Sequence, residues 1–251
     1  MADPEAMLKA LLSEDTASAE FPEDAPVQAA VGSKEPGSGP VEVNATDGQA
    51  VNVSLLHPSP RVLELADIVT AEEAKAIIQL GRPLLTASPT GAADKGYRAT
   101  VRTSTSAALL DEASRHPAVL SVRQRVANLT GYPEANLEPL QLVRYLPGQS
   151  FEPHNDWFDA CDVREAFRGG ERRLTVLVYL NSVPDDGGGG TRFPELGVRV
   201  RPRKHGGVLF ENYRAESPHR GDARCLHEGE APSRSTKLAA NIWIRARSFR
   251  L

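Results

Sequence analysis

Apolar and polar positions fall into ordered patterns from about residue 53 onward, and scatter before it. RVLELADIV alternates and predicts a strand. Thr70 followed by Glu73 forms a T-x-x-E capping box that opens a helix over TAEEAKAIIQLGRP. Ala74, Ile77, Ile78 and Leu80 have helical spacing there, and Gly81 and Pro83 stop it. HPAVLSVRQRVANLT predicts a second helix over about 116–130, with Val119, Leu120, Val122, Val126 and Leu129 apolar. GYRATVRTS, residues 96–104, reads as an exposed strand or loop and a candidate lid. From about 137 the pattern turns to strands: LEPLQLVRYL, FEPHND, then RRLTVLVYLN, whose near-continuous apolar run marks a central strand. PDDGGGG is a turn, and VRVRP, GGVLFEN and KLAANIWIRA follow as strands. Helices followed by seven or eight short strands predict an α+β fold. Its core is a double-stranded β-helix (jelly roll), buttressed by N-terminal helices.

Charge divides the chain at the same place. Residues 1–50 hold ten acids and two lysines, a net of −8, whereas the other 201 residues carry 23 acids and 27 bases, a net of +4. With its Gly, Pro, Ser and Ala, the segment 1–52 reads as an acidic, disordered tail unable to offset its ordering entropy, with a short helix allowed near 6–12. Residues 53–251 read as one domain with room for a sizeable core. Two cysteines, Cys161 and Cys225, do not make a disulfide framework, though one bridge between them is allowed. The N-terminus has neither basic nor apolar signal regions, and no stretch is apolar enough to span a bilayer. These features predict a cytoplasmic protein, a previously removed leader being compatible with them. The mild positive excess, without a basic stretch interleaved with aromatics, predicts no nucleic-acid partner.

The candidate chemistry rests on His154 and Asp156, an H-x-D pair, with His227 far downstream and Lys237 ten positions beyond it. On a strand, period-2 geometry would put His154 and Asp156 on one face. A third ligand from a distant strand completes a 2-His-1-carboxylate facial triad, which suits Fe(II) and leaves open positions for a co-substrate and O₂. Lys237 supplies a positive charge for a carboxylate on that co-substrate. His219 is a rival third ligand that lacks the following Gly-x-Pro and the spacing to Lys237. The run Gly187–Gly190 is no phosphate loop, because no Gly-Lys-Ser/Thr follows it. A zinc hydrolase could use the same triad, but would leave Lys237 without a task.

Three blocks in order resemble the prolyl 4-hydroxylase family of Fe(II)/2-oxoglutarate dioxygenases: LEPLQLVRYLPGQSFEPHNDWFD, RRLTVLVYLNSVPDDGGGGTRFP and HEGEAPSRSTKLAANIWIR. The resemblance spans about residues 58–247. It implies iron on His154, Asp156 and His227, and 2-oxoglutarate held by Lys237 and Tyr179, with Thr191 as a third contact and Tyr145 lining the iron site. Thr175, Leu177 and Tyr179 share a face by parity, as do Lys237 and Trp243. On the substrate side the resemblance implies Arg172, Trp243, Glu138, Arg102 and Ser104. Phe151 stands where the family often has tyrosine, Ser233 and Ser235 replace a common Val and Gly, and Arg245 stands where some relatives carry histidine. The implied reaction turns proline in a peptide or protein into 4-hydroxyproline, using Fe(II), 2-oxoglutarate, O₂ and ascorbate and releasing succinate and CO₂. The same chemistry on a free amino acid or another side chain, and a non-catalytic jelly-roll binding module, are the alternatives.

Overall fold

The computed structural model describes residues 22, 25–32, 34–89, 101–158, 163–214 and 217–251. Within them nine strands build a larger sheet. Its order is β1 (Val41–Asn44), β2 (Ala50–Pro58), β3 (Arg61–Ala66), β11 (Gly207–Glu211), β8 (Arg172–Tyr179), β15 (Lys237–Arg245), β6 (Gln141–Tyr145), β5 (Thr105–Ala108) and β4 (Thr86–Ala87). Neighbours are antiparallel at every step. A smaller antiparallel sheet has the order β10 (Val198–Val200), β9 (Thr191–Phe193), β14 (His227–Gly229) and β7 (Phe151–His154). β12 (Tyr213–Arg214) and β13 (Ser217–Gly221) form a hairpin. The helices are α1 (Pro26–Val31), α2 (Ala71–Gly81), α3 (Asp111–Ser114), α4 (Pro117–Thr130) and α5 (Val163–Phe167). This is the expected jelly-roll core with helices against it.

The central strand is largely apolar from Leu174 onward because both its faces are covered. Leu174, Val176 and Val178 of β8 join Ala240, Ile242 and Ile244 of β15 in the core beneath the helices. Tyr179 of β8 and Ala239 of β15 point the other way, toward the smaller sheet, where they meet Phe193, Val200, Val208 and Phe210. Alternation along each strand thus divides the molecule into a helix-side core and an inter-sheet space.

The helices follow their sequence signals closely. Thr70 Oγ1 accepts from Glu73 N at 3.1 Å, and Glu73 Oε2 accepts from Thr70 N at 2.8 Å, which is the predicted capping box. α2 ends at Gly81, where a Cβ would stand 2.6 Å from Leu142 Cδ2, so close packing on β6 needs a glycine there. α4 starts with Pro117 at its first position and ends at Gly131 in the left-handed region, φ 72°. Leu120 departs from the expected apolar stripe and is 47% exposed, because it lies off the face that α4 packs against α1 and α2.

The expected boundary near residue 53 requires correction. It falls inside β2, and Val27, Val31, Val43, Ala45 and Val51 belong to the same buried core as the helices. Composition hides this because a four-residue strand such as β1 gains its stability from the partner it pairs with, here Val41 opposite Val53 and Val43 opposite Val51. Residues 1–21, with the helix expected near 6–12, and residues 96–100 of the expected lid lie outside the described residues. Cys161 also lies outside them, while Cys225 is a buried free thiol donating to Glu211 O.

One ion network ties the N-terminal part to the helices. The buried Arg125 of α4 donates to Glu73 Oε2 at 2.8 Å, to Asp47 Oδ2 at 2.7 Å and to Ile68 O at 2.9 Å. Ser121 Oγ adds a bond to Glu73 Oε1 at 2.7 Å. Arg125→Met should cost about 3–5 kcal/mol by stranding a buried carboxylate. Denaturant unfolding measures that loss, and binding in the inter-sheet space on the far side of the sheet should be unchanged.

Candidate functional site

His154 and His227 face each other as a cross-strand pair of β7 and β14. Their ring centroids are 4.3 Å apart. Each Nδ1 lies beside a backbone carbonyl, Glu152 O at 2.8 Å and Cys225 O at 3.0 Å respectively. A carbonyl needs a donor, so Nδ1 carries the proton and Nε2 presents its lone pair inward. Asp156 lies 3.8 Å from both Nε2 atoms, His154 at Oδ1 and His227 at Oδ2. That is too long for hydrogen bonds, yet one ligand atom from each of the three residues lies within 4.8 Å of the others, close enough to share one ion. The donor set, two imidazoles and one carboxylate, suits Fe(II).

Asp156 is not placed by strand alternation as expected. β7 ends at His154, and Asp156 lies beyond it. Two hydrogen bonds hold its Oδ2 instead, from Thr175 Oγ1 at 2.7 Å and Trp243 Nε1 at 3.0 Å. Asn212 Nδ2 in turn donates to Thr175 Oγ1 at 3.0 Å. Burial pushes the Asp156 carboxyl upward, but the Arg172 guanidinium and the hydrogen bond from Thr175 oppose it, and the carboxyl stays low. Burial and then the neighbouring His227 lower His154, so its imidazole stays neutral and available as a donor.

Lys237 opens β15 opposite Tyr145 of β6, and Ala239 stands opposite Tyr179 of β8. Its Nζ sits 5.3 Å from the Tyr145 ring centroid and 5.4 Å from that of Tyr179. Tyr179 is fully buried and donates to Thr191 Oγ1 at 2.8 Å. Lys237 itself is 1% exposed, and among the described residues no carboxylate forms an ion pair with it. Burial pulls its pKa from 10.5 down to about 7, with only a distant Glu230 opposing. A buried ammonium without a counter-ion, facing a cavity, fits a ligand that brings a carboxylate.

The cavity wall collects many of the sequence-predicted residues. His154, Asp156, His227, Lys237, Thr191, Tyr145, Trp243 and Phe151 line it, together with Thr175, Leu177, Asn241 and Phe210, which the sequence reading had not assigned to the site. Tyr179 stands behind Lys237 rather than in the wall. Phe151 stacks on His154 with centroids 3.5 Å apart, and the Arg102 guanidinium lies 4.7 Å from its ring. The residue in the family's tyrosine position therefore packs an iron-ligand candidate in place. Arg102 donates to Ser104 Oγ at 3.0 Å and Gln141 Oε1 at 3.3 Å.

Glu138 and Arg172 bind each other, through Nε to Oε1 at 2.6 Å and Nη2 to Oε2 at 3.0 Å. Arg172 also lies 3.8 Å from the Trp243 ring centroid. Glu165 and Asn212 are supporting residues that the sequence does not point to, while Arg245 and Thr175 are marked there only by family position and by parity. Parity put Thr175 on the right face, but nothing local points from Asn212 or Glu165 to this site.

Lys237 gives a pH signature. Between pH 7 and 10.5 the unfolded chain keeps the lysine proton and the folded, ligand-free protein has lost it, so stability rises with pH across that window. Lys237→Met should remove that rise and stabilise the ligand-free protein at pH 7 and below, where the ammonium is otherwise buried unpaired. Denaturant unfolding at pH 6.5 and pH 9 compares the two proteins; an equal rise in both would put the titration elsewhere.

Comparison with known proteins agrees with this arrangement. The sequence pattern of the 2OG-Fe(II) oxygenase superfamily matches residues 140–245. Prolyl 4-hydroxylase 1 of Arabidopsis thaliana is 30% identical over 228 residues, covering 82% of this chain and 77% of its own length. Prolyl 4-hydroxylase 5 of the same plant is 29% identical over 218 residues, covering 79% and 73%. In fold, the chain is similar to the viral collagen prolyl hydroxylase of Paramecium Bursaria Chlorella virus-1, solved as a 2OG complex. The TM-score is 0.58 at 24% identity, over 73% of this chain and 95% of that one.

Proposed function

The chain belongs to the prolyl 4-hydroxylase family of 2OG-Fe(II) oxygenases, and from that premise we propose that it hydroxylates proline in a peptide or protein to 4-hydroxyproline. It uses Fe(II), 2-oxoglutarate and O₂, releases succinate and CO₂, and draws on ascorbate to keep the iron reduced. The observation that carries this reading is the unpaired, buried Lys237 in the same cavity as the triad of His154, Asp156 and His227. A hydrolase or a passive binding module gives that lysine nothing to do.

In this reading His154, Asp156 and His227 hold the iron. When bound, the iron couples decarboxylation of 2-oxoglutarate to insertion of one oxygen atom of O₂ into a C–H bond. The chain's own groups bind, orient and shield. Lys237 neutralises the far carboxylate of 2-oxoglutarate as a compact point charge, and its pKa rises again once that anion is beside it. Thr191 offers a polar contact at the same end, and Tyr179, behind the wall, fixes that hydroxyl by donating to it. Tyr145 stands across from Lys237. Leu177 and Phe210 keep water from the inner wall, which strengthens every charge interaction inside.

Thr175 and Trp243 orient the carboxylate ligand, and Phe151 packs one imidazole. Trp243 and Phe151 present aromatic surface to a proline ring, and Arg102 with Ser104 presents donors for a peptide carbonyl. Arg172 and Glu138 support that side by holding each other. No helix among the described residues is long and apolar enough to cross a membrane. A cytoplasmic location is part of this proposal and rests on the scarcity of cysteine.

Mass spectrometry of proline-containing peptides and of free L-proline, incubated with Fe(II), 2-oxoglutarate, ascorbate and air, tests the reading. The expected result is one added oxygen on a peptide proline, abolished by omission of 2-oxoglutarate or by a chelator. Oxidation of free proline alone would move the substrate to amino acids, and 2-oxoglutarate-independent peptide turnover would remove the oxygenase assignment. Lys237→Met should raise the KM for 2-oxoglutarate by roughly 10–100-fold, the worth of a charge-assisted contact. An unchanged KM would put the carboxylate contact elsewhere.

A further inference from the structure

Four charged side chains are enclosed where β8 begins and β15 ends beside α5: Glu138, Glu165, Arg172 and Arg245. Arg245 is 1% exposed and bonds three partners, Glu138 Oε1 through Nε at 2.6 Å, Glu165 Oε2 through Nη2 at 2.7 Å and Gly170 O through Nη1 at 2.6 Å. Glu138 Oε1 accepts from the Nε atoms of Arg245 and Arg172 alike. Both guanidinium groups also approach the Phe158 ring, Arg245 at 4.6 Å and Arg172 at 4.8 Å from its centroid.

A continuous set of contacts results. Glu165 and the Gly170 carbonyl hold Arg245, Arg245 holds Glu138, Glu138 holds Arg172, Arg172 lies over the Trp243 ring, and Trp243 donates to Asp156. Phe158, two residues past Asp156, has both guanidinium groups against its ring, so the same cluster contacts the segment that leaves the carboxylate ligand. The two cations and two carboxylates balance. Without Arg245, Glu165 loses that bond while keeping Arg168 at 3.6 Å, and Glu138 is free to turn Arg172 away from the indole.

From this geometry we infer that Arg245 is a positioning residue. It fixes Arg172 on Trp243, and Phe158 beside them, and so sets the substrate side of the site without touching substrate. The inference rests on the prolyl hydroxylase reading for its kinetic test, but its structural test does not. Lys237 and its surroundings lie at the other end of β15, so the effect is confined to the substrate side.

The chain has two tryptophans, Trp157 and Trp243, and their indole N–H resonances can be told apart with Trp243→Phe. Arg245→Gln should move the Trp243 resonance in the direction that Arg172→Met moves it, in the metal-free protein. In turnover, Arg245→Gln should raise the peptide KM by ~10-fold and leave the KM for 2-oxoglutarate unchanged. In an Arg172→Met background the same substitution should add less than about twofold, because the two residues act as one unit.

An unmoved Trp243 resonance, equal losses in both backgrounds, or a rise in both KM values would overturn the inference. If Arg245→Gln fails to fold, Glu165→Gln removes one arm of the clamp and leaves Arg172 and Glu138 intact. It should shift the same resonance less far in the same direction, and no shift there counts against the inference. If the unsubstituted protein hydroxylates no peptide, the functional reading fails, and the Trp243 resonance alone still decides the role of Arg245.

Discussion

Charge buried between two sheets must find a partner, and most of the architecture around this cavity follows from that requirement. The inter-sheet space encloses Asp156, His227 and Lys237, and the cluster of Glu138, Glu165, Arg172 and Arg245 adjoins it. Water would solvate such groups more cheaply than protein does, so each must be satisfied internally or await a ligand. Glu138 has two arginines and Arg245 has two carboxylates. Among the described residues Lys237 has tyrosine rings beside it and no carboxylate paired with it, and the two Nε2 lone pairs and Asp156 Oδ1 converge without a shared proton. The contrast between satisfied and waiting groups separates the scaffold from the reactive part of the site.

The two faces of the larger sheet carry different burdens. Toward the helices the core is aliphatic, with Arg125 as its enclosed cation, tied to Asp47 and Glu73. That face supplies stability, and the N-terminal segment contributes to it through Val27, Val43 and Val51. Toward the smaller sheet, apolar residues are fewer and polar groups face a cavity. Preorganised polar groups cost folding free energy and supply binding, so the helix-side core must offset what the site loses.

The substrate side differs from the co-substrate side in how it is built. Lys237 and the two histidine ligands are held by direct strand pairing, with His227 opposite His154 and Lys237 opposite Tyr145. Trp243, Arg172 and Phe158 depend on side-chain packing among residues far apart in the chain. That difference explains why the residues that depart from the family pattern, Phe151 and Arg245, have structural partners of their own. Phe151 stacks on an imidazole, and Arg245 anchors two carboxylates. Substitution at such positions must keep the local packing and charge balance, whatever substrate is chosen.

Local rules sufficed for a large part of the protein. The capping box of α2, the proline start and glycine end of α4, and the alternation along β8 and β15 depend on neighbours within a few residues. For that reason Thr175, Leu177 and Tyr179, and likewise Lys237 and Trp243, could be assigned to one face from spacing alone. The ligand set was legible too, because a metal demands particular residue types.

Tertiary contacts decided the remainder. Arg172 shares parity with Leu174 and Val176 and should point to the helix-side core. A β-bulge, in which Arg245 pairs with Arg172 while Ile244 pairs with Leu174, leaves Arg173 as the extra residue and turns Arg172 toward Trp243. Asp156 lies past the end of its strand and is aimed by Thr175 and Trp243, from 19 and 87 residues away. The strands at 41–58 exist because they pair with each other and with β3. Periodicity records only what adjacent residues impose on one another, whereas a bulge, a hydrogen bond to a distant indole and the pairing of a short strand arise only once the chain has brought remote segments together.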